Sequence, residues 1–333
     1  MKKSGLKHLI VAGFMMVTAT FGIPASAATV PEAGIPINEN NFSQGFVDYV
    51  LERIDGSLDP QDKDGKLSPE EAESVTSINI SQAARGLSGK LQDKFFPKAG
   101  GYDNITGLKG IEFFENLTDL NISGSNVQNL SYITQNQKLI RLYCENSQLT
   151  DDTANIARLT NLEIFHIKDS KKLTRLNVSG NSKLVDLDFS GCTALTSFTA
   201  GQSPALTNLE CSDTAITDLI VTGYTNLSTL DCSNNPNLQV LRVNTNNGKL
   251  KILNCSNTKI QNLDLSGNPE LYNVNCSNTL VNQLDLVNVP TLETLVTTGA
   301  PITKLNLTNV PLLSTFGDID KTGYIDRLFV HKN

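Results

Sequence analysis

Residues 206–211 read Leu-Thr-Asn-Leu-Glu-Cys, and residues 227–232 repeat the form as Leu-Ser-Thr-Leu-Asp-Cys, 21 positions later. Related segments recur along most of the chain at steps of 21 to 23 residues. Their first residues are Leu117, Leu139, Leu162, Leu184, Leu206, Leu227, Leu250, Leu271, Leu292 and Leu313. A fixed period of this length is the signature of a repeat protein whose turns stack on one another.

Alternation within each segment predicts a short β-strand. Counting from the first leucine, positions four and six fall on one side of a strand, and positions three, five and seven on the other. A second, offset set of extended segments lies about half a period later, as at residues 173–178, 260–265 and 302–307. One turn cannot bury its apolar side alone, whereas stacked turns share a continuous core and parallel ladders.

Five of the six cysteines occupy position six, where other turns carry an apolar residue. They are Cys144, Cys211, Cys232, Cys255 and Cys276. The last four come from consecutive turns, so their side chains should form a ladder. Parallel side chains keep Cβ atoms near the strand spacing of about 4.8 Å, wider than the ~3.8 Å of a disulfide. We expect buried, unpaired thiols that act as small hydrophobic residues.

The first residues have the three parts of a secretory signal peptide. A basic start, a short apolar run at residues 9–17 and a small-residue site ending at Ala27 predict a signal at residues 1–27, with cleavage after Ala27. We therefore expect a secreted, extracellular protein without a membrane span or surface anchor. Removing the three lysines of this segment lowers the formal net charge from −7 to −10. Such a charge disfavours nucleic acid as a partner.

Residues 28–40 are interpreted as a linker, and residues 41–107 as a helical N-terminal cap with an acidic loop. Apolar residues recur at helical spacing between residues 41 and 54, and a second helix is predicted from Pro69. The loop between them suggests a calcium site, with ligands Asp59, Asp62, Asp64 and Glu71. Against calcium, Pro60 occupies the first ligand position, and residues 68–71 form a capping box that accounts for Glu71. Both interpretations remain open, and no other cofactor is expected.

The repeats are assigned to residues 108–312, and a C-terminal capping repeat to residues 313–333. In that last repeat Asp318 takes the place of a core residue, as expected of a terminal turn. Together these features predict an α+β fold. It is a right-handed, curved leucine-rich-repeat solenoid with a parallel β-sheet on the concave face and a small helical N-terminal cap.

The outward positions of the first strand fall into two zones. We call the first the early patch, and it combines aromatic, apolar and basic side chains: Arg141, Tyr143, Ile164, His166 and Lys168. We call the second the acidic strip: Asp186, Asp188, Asn208, Glu210, Asp231 and Asn254. Tyrosine and arginine are common binding anchors, which favours the early patch as the contact surface. The acidic strip suits a basic partner or sugar hydroxyls, although either zone is also consistent with a merely solvated surface.

Catalysis is not predicted. The three histidines are His8, His166 and His331, and the sequence has no nucleophile elbow or phosphate-binding loop. Carboxylates such as Asp186 and Asp188 would lie on an open face that does not exclude water. The sequence therefore favours a non-enzymatic binding protein.

Several segments together resemble the internalins, a family of secreted and surface proteins of bacteria. They are Ile-Pro-Ile-Asn at residues 35–38, Leu-Lys-Gly-Ile-Glu at 108–112 and Asn-Leu-Thr-Asp-Leu-Asn-Ile at 116–122. The cysteine ladder and the 21-residue steps are similar to internalin J-like members. The resemblance implies a concave face that binds an extracellular protein or glycan, such as a host receptor or mucin. The chain lacks a wall-anchoring motif, so we expect a soluble, monomeric binder. The alternative is a binder of cell-wall glycan or an envelope protein with no host role.

Overall fold

A computed structural model describes residues 28–81, 104–150, 153–243, 248–316 and 327–329. Within these ranges the chain is a leucine-rich-repeat solenoid of stacked parallel strands, as the period predicts. The predicted signal peptide, residues 82–103 of the predicted cap and Asp318 of the predicted last repeat lie outside the described residues.

Eleven strands form one parallel sheet, in which each turn adds one strand beside the last. They are β3 (Ser77–Asn79), β4 (Asp119–Asn121), β5 (Arg141–Tyr143), β6 (Ile164–His166), β8 (Asp186–Asp188), β10 (Asn208–Glu210), β12 (Thr229–Asp231), β14 (Ile252–Asn254), β15 (Asn273–Asn275), β17 (Thr294–Val296) and β19 (Thr315–Phe316). Equivalent positions face one another across the sheet, so Leu209 pairs in register with Leu187 and Leu230. A position in the repeat therefore becomes a column of side chains on the sheet.

The offset segments form short parallel sheets of their own. One pairs β7 (Arg175–Asn177) with β9 (Ser197–Thr199), and another pairs β11 (Asp218–Ile220) with β13 (Val240–Arg242). A third contains β16 (Gln283–Asp285), β18 (Lys304–Asn306) and β20 (Arg327–Phe329).

The offset segment at residues 260–265 is an exception to the predicted pattern. Ile260, Leu263 and Leu265 are buried, but no strand is formed there. Burial requires only inward-pointing side chains, whereas a strand also requires a hydrogen-bonded neighbour in register. Alternation alone predicts the first property and not the second.

The described N-terminal residues form two α-helices and one antiparallel pair of two-residue strands. Helix α1 spans Phe46–Arg53 and α2 spans Pro69–Ser74, close to the predicted positions. Strands β1 (Ile35–Pro36) and β2 (Lys66–Leu67) pair antiparallel, and Ile37 beside them is buried. The end of the segment interpreted as a linker therefore packs with the helices. The sequence around Ile37 does not predict this pairing, because Lys66 and Leu67 lie about 30 residues further along the chain.

One continuous apolar core runs from the helices through the repeats. Position four of each segment is fully buried, as the alternation predicts: Leu120, Leu142, Phe165, Leu187, Leu209, Leu230, Leu253, Val274 and Leu295. Burying one such side chain contributes about 1.5–3 kcal/mol. This column is the main reason why the turns stack.

Position eight turns the chain out of each strand with a left-handed backbone. It is always glycine, asparagine or aspartate: Gly124, Asn146, Asp169, Gly191, Asp213, Asn234, Asn257, Asn278 and Gly299. These residue types tolerate a positive φ best. At Gly299 a Cβ atom would also lie 2.3 Å from Asn278 Oδ1 of the preceding turn. The bend therefore restricts the residue at position eight both in its backbone conformation and, at Gly299, in the size of its side chain.

Position nine carries a buried polar side chain in most turns, and Cys192 occupies it in the turn that begins at Leu184. Thr258 and Thr279 each donate a hydrogen bond to the main-chain oxygen at position six of their own turn, at 2.8 Å. Asn235 donates to the main-chain oxygens of both Cys211 and Cys232, at 2.9 Å each. This column satisfies main-chain groups that the bend removes from the ladder.

Candidate functional site: the outward face of the 11-stranded sheet

The early patch is built from two neighbouring strands, β5 and β6. Tyr143 and His166 occupy position five of these strands and are paired in register. Their rings meet edge to face, with centroids 5.3 Å apart and planes at 86°. This geometry is favourable for aromatic pairs and holds both rings in place.

His166 links the early patch to the acidic strip. Its Nε2 lies 3.1 Å from Asp186 Oδ2 on β8, and its Nδ1 lies 3.6 Å from Glu145 Oε1 beyond β5. Each ring nitrogen therefore faces a carboxylate from a different neighbouring turn of the solenoid. The two zones that the sequence analysis separated share this residue.

Arg141 is exposed at the edge of the early patch and is held by an ion pair. Its Nη1 lies 2.7 Å from Asp119 Oδ1 on β4. Burial alone would raise the pKa of the Asp119 carboxyl, but hydrogen bonds from Arg141 and Thr118 bring it below its ordinary value. Ile164 is half-buried and Lys168 is exposed. The five residues of the early patch thus lie on one surface.

The acidic strip is less uniform than the sequence predicts. Asp188 is only 9% exposed, because its Oδ1 accepts hydrogen bonds from Ser190 N at 2.8 Å and Ser190 Oγ at 2.6 Å. Asp231 makes the same pair of bonds with Ser233, at 2.9 and 2.6 Å. These carboxylates stabilise their own bends, as aspartate and asparagine do in Asx-turns. One oxygen of Asp188 is therefore engaged by the bend, and its place in the predicted binding site stays a prediction.

Sequence reasoning missed these bends although a signal was present. Serine occupies position seven wherever position five is aspartate or asparagine in the turns that begin at Leu184, Leu227, Leu250 and Leu271. The same bond joins Ser256 Oγ to Asn254 Oδ1 and Ser277 Oγ to Asn275 Oδ1, at 2.8 Å each. An Asx-x-Ser spacing indicates a bend as readily as a binding surface.

Glu210 differs from its neighbours in the acidic strip. It lies in register between Asp188 and Asp231, and its half-buried side chain has no hydrogen-bond or ion-pair partner among the described residues. Asp186, on the adjacent strand, accepts a hydrogen bond from Asn208 Nδ2 at 2.8 Å. Glu210 is thus the least engaged carboxylate of the strip.

The acidic loop near α2 holds its key carboxylate for a structural purpose. Glu71 is buried, and its Oε2 accepts from Ser68 N at 3.0 Å, while Ser68 Oγ accepts from Glu71 N at 3.2 Å, which is the predicted capping box. Its Oε1 accepts from Gly56 N at 2.5 Å. Asp59 and Asp64 accept main-chain bonds from residues two positions later. The calcium hypothesis stays a prediction, and in the described part of the chain no three His, Cys, Asp or Glu side chains are arranged to hold a metal ion.

All six cysteines are buried and unpaired. The main-chain N–H groups of Cys211, Cys232 and Cys255 each donate to the next strand of the sheet, at 2.8–2.9 Å, so these residues lie on successive turns. Burial raises the pKa of every thiol, to about 12 for Cys192 and Cys276. Neutral thiols are poor nucleophiles, so the native chain should react slowly with alkylating agents.

A groove of about 450 Å³ lies on the offset strands, a region that the sequence analysis did not single out. Its polar lining comes from the described residues Asp264, Gln283, Asp285, Lys304 and Asn306. No helix among the described residues is long and apolar enough to cross a membrane.

Solved structures of similar fold include YopM from Yersinia enterocolitica WA-314, with 21% identity and a TM-score of 0.49 over 62% of this chain and 45% of that chain. The functional domain of InlJ from Listeria monocytogenes, described as including a cysteine ladder, has 19% identity and a TM-score of 0.48 over 90% and 70%. Internalin C2 from Listeria monocytogenes str. 4b F2365 has 16% identity and a TM-score of 0.43 over 81% and 100%. The chain thus spans less than half of the YopM chain. No protein-family model and no curated protein matches it. The leucine-rich-repeat solenoid is assigned from the period and the strand register, to which these low-identity likenesses add no argument.

Proposed function

We propose that this chain is a secreted binding protein whose partner contacts the outward face of the 11-stranded sheet through the early patch. The partner is an extracellular protein or glycan, with a host receptor or mucin as the first choice. The observation that carries the proposal is the edge-to-face pair of Tyr143 and His166, held on adjacent strands beside Arg141.

The early patch has the properties of an interface centre. Tyrosine and arginine are enriched among residues that dominate binding energy. Side chains that are already held by neighbours lose little conformational entropy when a partner binds. Here His166 faces two carboxylates and Arg141 is paired with Asp119, so the surface is largely preorganised.

The test is affinity capture with the full secreted chain from host-cell extract, bacterial-envelope extract and a glycan array. We expect the double variant Tyr143→Ala and His166→Ala to lose at least tenfold in affinity for the captured partner, since interface centres tolerate truncation poorly. Tyr132→Ala is the matched control, because Tyr132 is exposed but lies outside the 11-stranded sheet. Full binding by the double variant would reject the early patch as the contact surface.

The same captures decide between the host and the bacterial alternative. A partner from the envelope extract or a cell-wall glycan, with nothing from host extract, would replace the host role with a purely bacterial one. The predicted absence of catalysis and of nucleic-acid binding stays part of the proposal. So does the monomeric state, which light scattering of the purified chain measures.

A further inference from the structure

We propose that the acidic strip binds a basic, extended segment of a polypeptide partner, with Glu210 as the main contact. This inference rests on the proposed function, because it names the chemistry of the partner that the same sheet face takes. It assigns the two zones different tasks: the early patch anchors one end of the segment, and the acidic strip selects for positive charge.

The charge pattern is the first support. Asp188, Glu210 and Asp231 stand directly opposite one another on β8, β10 and β12, at the strand spacing of about 4.8 Å. Like charges in directly opposed positions destabilise a sheet. No lysine or arginine occupies position three, five or seven of these three turns. A cationic partner would supply the compensation that the strands themselves do not.

The second support is the difference between Glu210 and the aspartates around it. Asp188 and Asp231 hold their own bends, and Asp186 accepts from Asn208. Their negative charge still acts at a distance, but at least one oxygen of each is already held by a neighbouring group. Glu210 has the longer side chain and no partner among the described residues, so it is available for a direct ion pair.

Apolar side chains at both ends of the acidic strip set the length of the occupant. Ile164 lies on β6 at one end, and Ile252 on β14, 41% exposed, lies at the other. From β6 to β14 there are four strand spacings, or about 19 Å. An extended chain of about six residues spans this distance. The fitting occupant therefore crosses the strands with an apolar residue at each end and lysine or arginine between.

The experiment uses the full chain and two fluorescent peptides. The first has three lysines between two terminal phenylalanines in a six- to seven-residue extended sequence, and the second replaces each lysine with glutamine. By fluorescence anisotropy at low salt we expect the lysine peptide to bind at least tenfold tighter, and raising the salt to remove most of the difference. Glu210→Lys should weaken binding about tenfold or more, and Glu210→Gln several-fold. Asp285→Asn on β16 removes one exposed carboxylate from the offset strands and should leave affinity unchanged.

Equal affinity for the two peptides overturns the inference, as does undiminished binding of the lysine peptide to Glu210→Lys. Circular dichroism of each variant checks that the fold is retained, which is expected because Glu210 points away from the core. If the peptides fail but the Tyr143→Ala and His166→Ala variant still loses the captured partner, the proposed function stands without a basic segment. If that variant also binds its partner normally, the proposed site fails as well.

Discussion

Strands β8, β10 and β12 carry two very different columns of side chains on their two sides. The inner column at position four is Leu187, Leu209 and Leu230, all fully buried. The outer column at position five is Asp188, Glu210 and Asp231, in the same register. The inner column is uniform because stacked turns share one core, and any change of shape leaves a void. The outer column is not constrained by core packing, so its residue types can differ from turn to turn. They therefore carry information about local bends and binding surfaces, whereas the inner column carries information about the fold.

The outer column itself contains two kinds of carboxylate. Asp188 and Asp231 are short enough to reach back to the serine two residues later. Glu210 is one methylene longer and makes no such bond. Acidic residues in one column are therefore not equivalent, and the hydrogen-bond partner of each one separates structural from available carboxylates.

The largest effect should come from the buried thiols, most of which form the position-six column on the inner side of the sheet. Burial raises the pKa of all six above the ordinary value of 9.0. Only the unfolded thiols then ionise above pH 9, so their contribution to stability is present below that pH and is lost as the pH rises. Each thiol contributes about 1.4 kcal/mol per pH unit, which gives about 8 kcal/mol for the six by pH 10. Urea unfolding at pH 8 and pH 10 measures the loss.

Two further measurements isolate the thiols from other titrating groups. Replacing Cys232 and Cys255 with alanine removes two of the six buried thiols, so it should remove about a third of the loss between pH 8 and pH 10. The cost of the two cavities is present at both pH values and does not affect this difference. Mass spectrometry after alkylation without reductant should find six modified cysteines in denaturant and almost none in the native chain. A disulfide in the ladder would leave fewer than six modified sites and contradict the arrangement.

The inner column at position four gives the next largest effect. Leu209→Ala leaves a cavity between two neighbouring leucines and should lower the free energy of unfolding by about 3 kcal/mol. Thr229→Ala, at an outward position of β12, should change it by less than about 0.5 kcal/mol. Urea unfolding compares the two variants, and similar losses for both would mean that the two sides of the sheet are not distinct.

The period predicts the inner columns because packing repeats with the chain. Leu209 and Cys211 are buried because they occupy positions four and six, which face the core in every turn. The capping box of Ser68 and Glu71 could also be predicted, since it depends only on residues close together in the sequence. The features that the sequence did not predict depend on contacts between residues distant in sequence or on hydrogen bonds between strands. His166 is held by carboxylates from the turns on either side, and Ile35 pairs with Leu67 of a separate segment. Composition correctly indicates an acidic surface but does not show that Asp188 is covered.

Glu71 in the helical cap is an acidic side chain whose two carboxylate oxygens both accept hydrogen bonds. Glu71→Ala leaves the Ser68 and Gly56 main-chain donors without their acceptor and should cost about 2 kcal/mol. Glu70→Ala, on the same first turn of α2, should cost much less. Thermal unfolding with calcium chloride and with chelator tests the remaining hypothesis. A melting temperature that rises with calcium in the parent chain, but not in Glu71→Ala, would show that the acidic loop binds the ion.

Glu210 should give the smallest effect and the opposite sign. Glu210→Gln keeps the shape of the side chain but removes the middle charge of three opposed carboxylates, so it should raise the free energy of unfolding by about 0.5 kcal/mol. The gain should shrink in 0.5 M salt, because exposed charges are screened there. Asp218→Asn provides the control, because Asp218 on β11 is exposed and its register partner on β13 is the apolar residue Val240. Urea unfolding at low and high salt measures both variants. A loss of stability in Glu210→Gln would mean that this carboxylate, like Asp188, already has a structural partner, and the column would then offer no free acceptor to a basic segment.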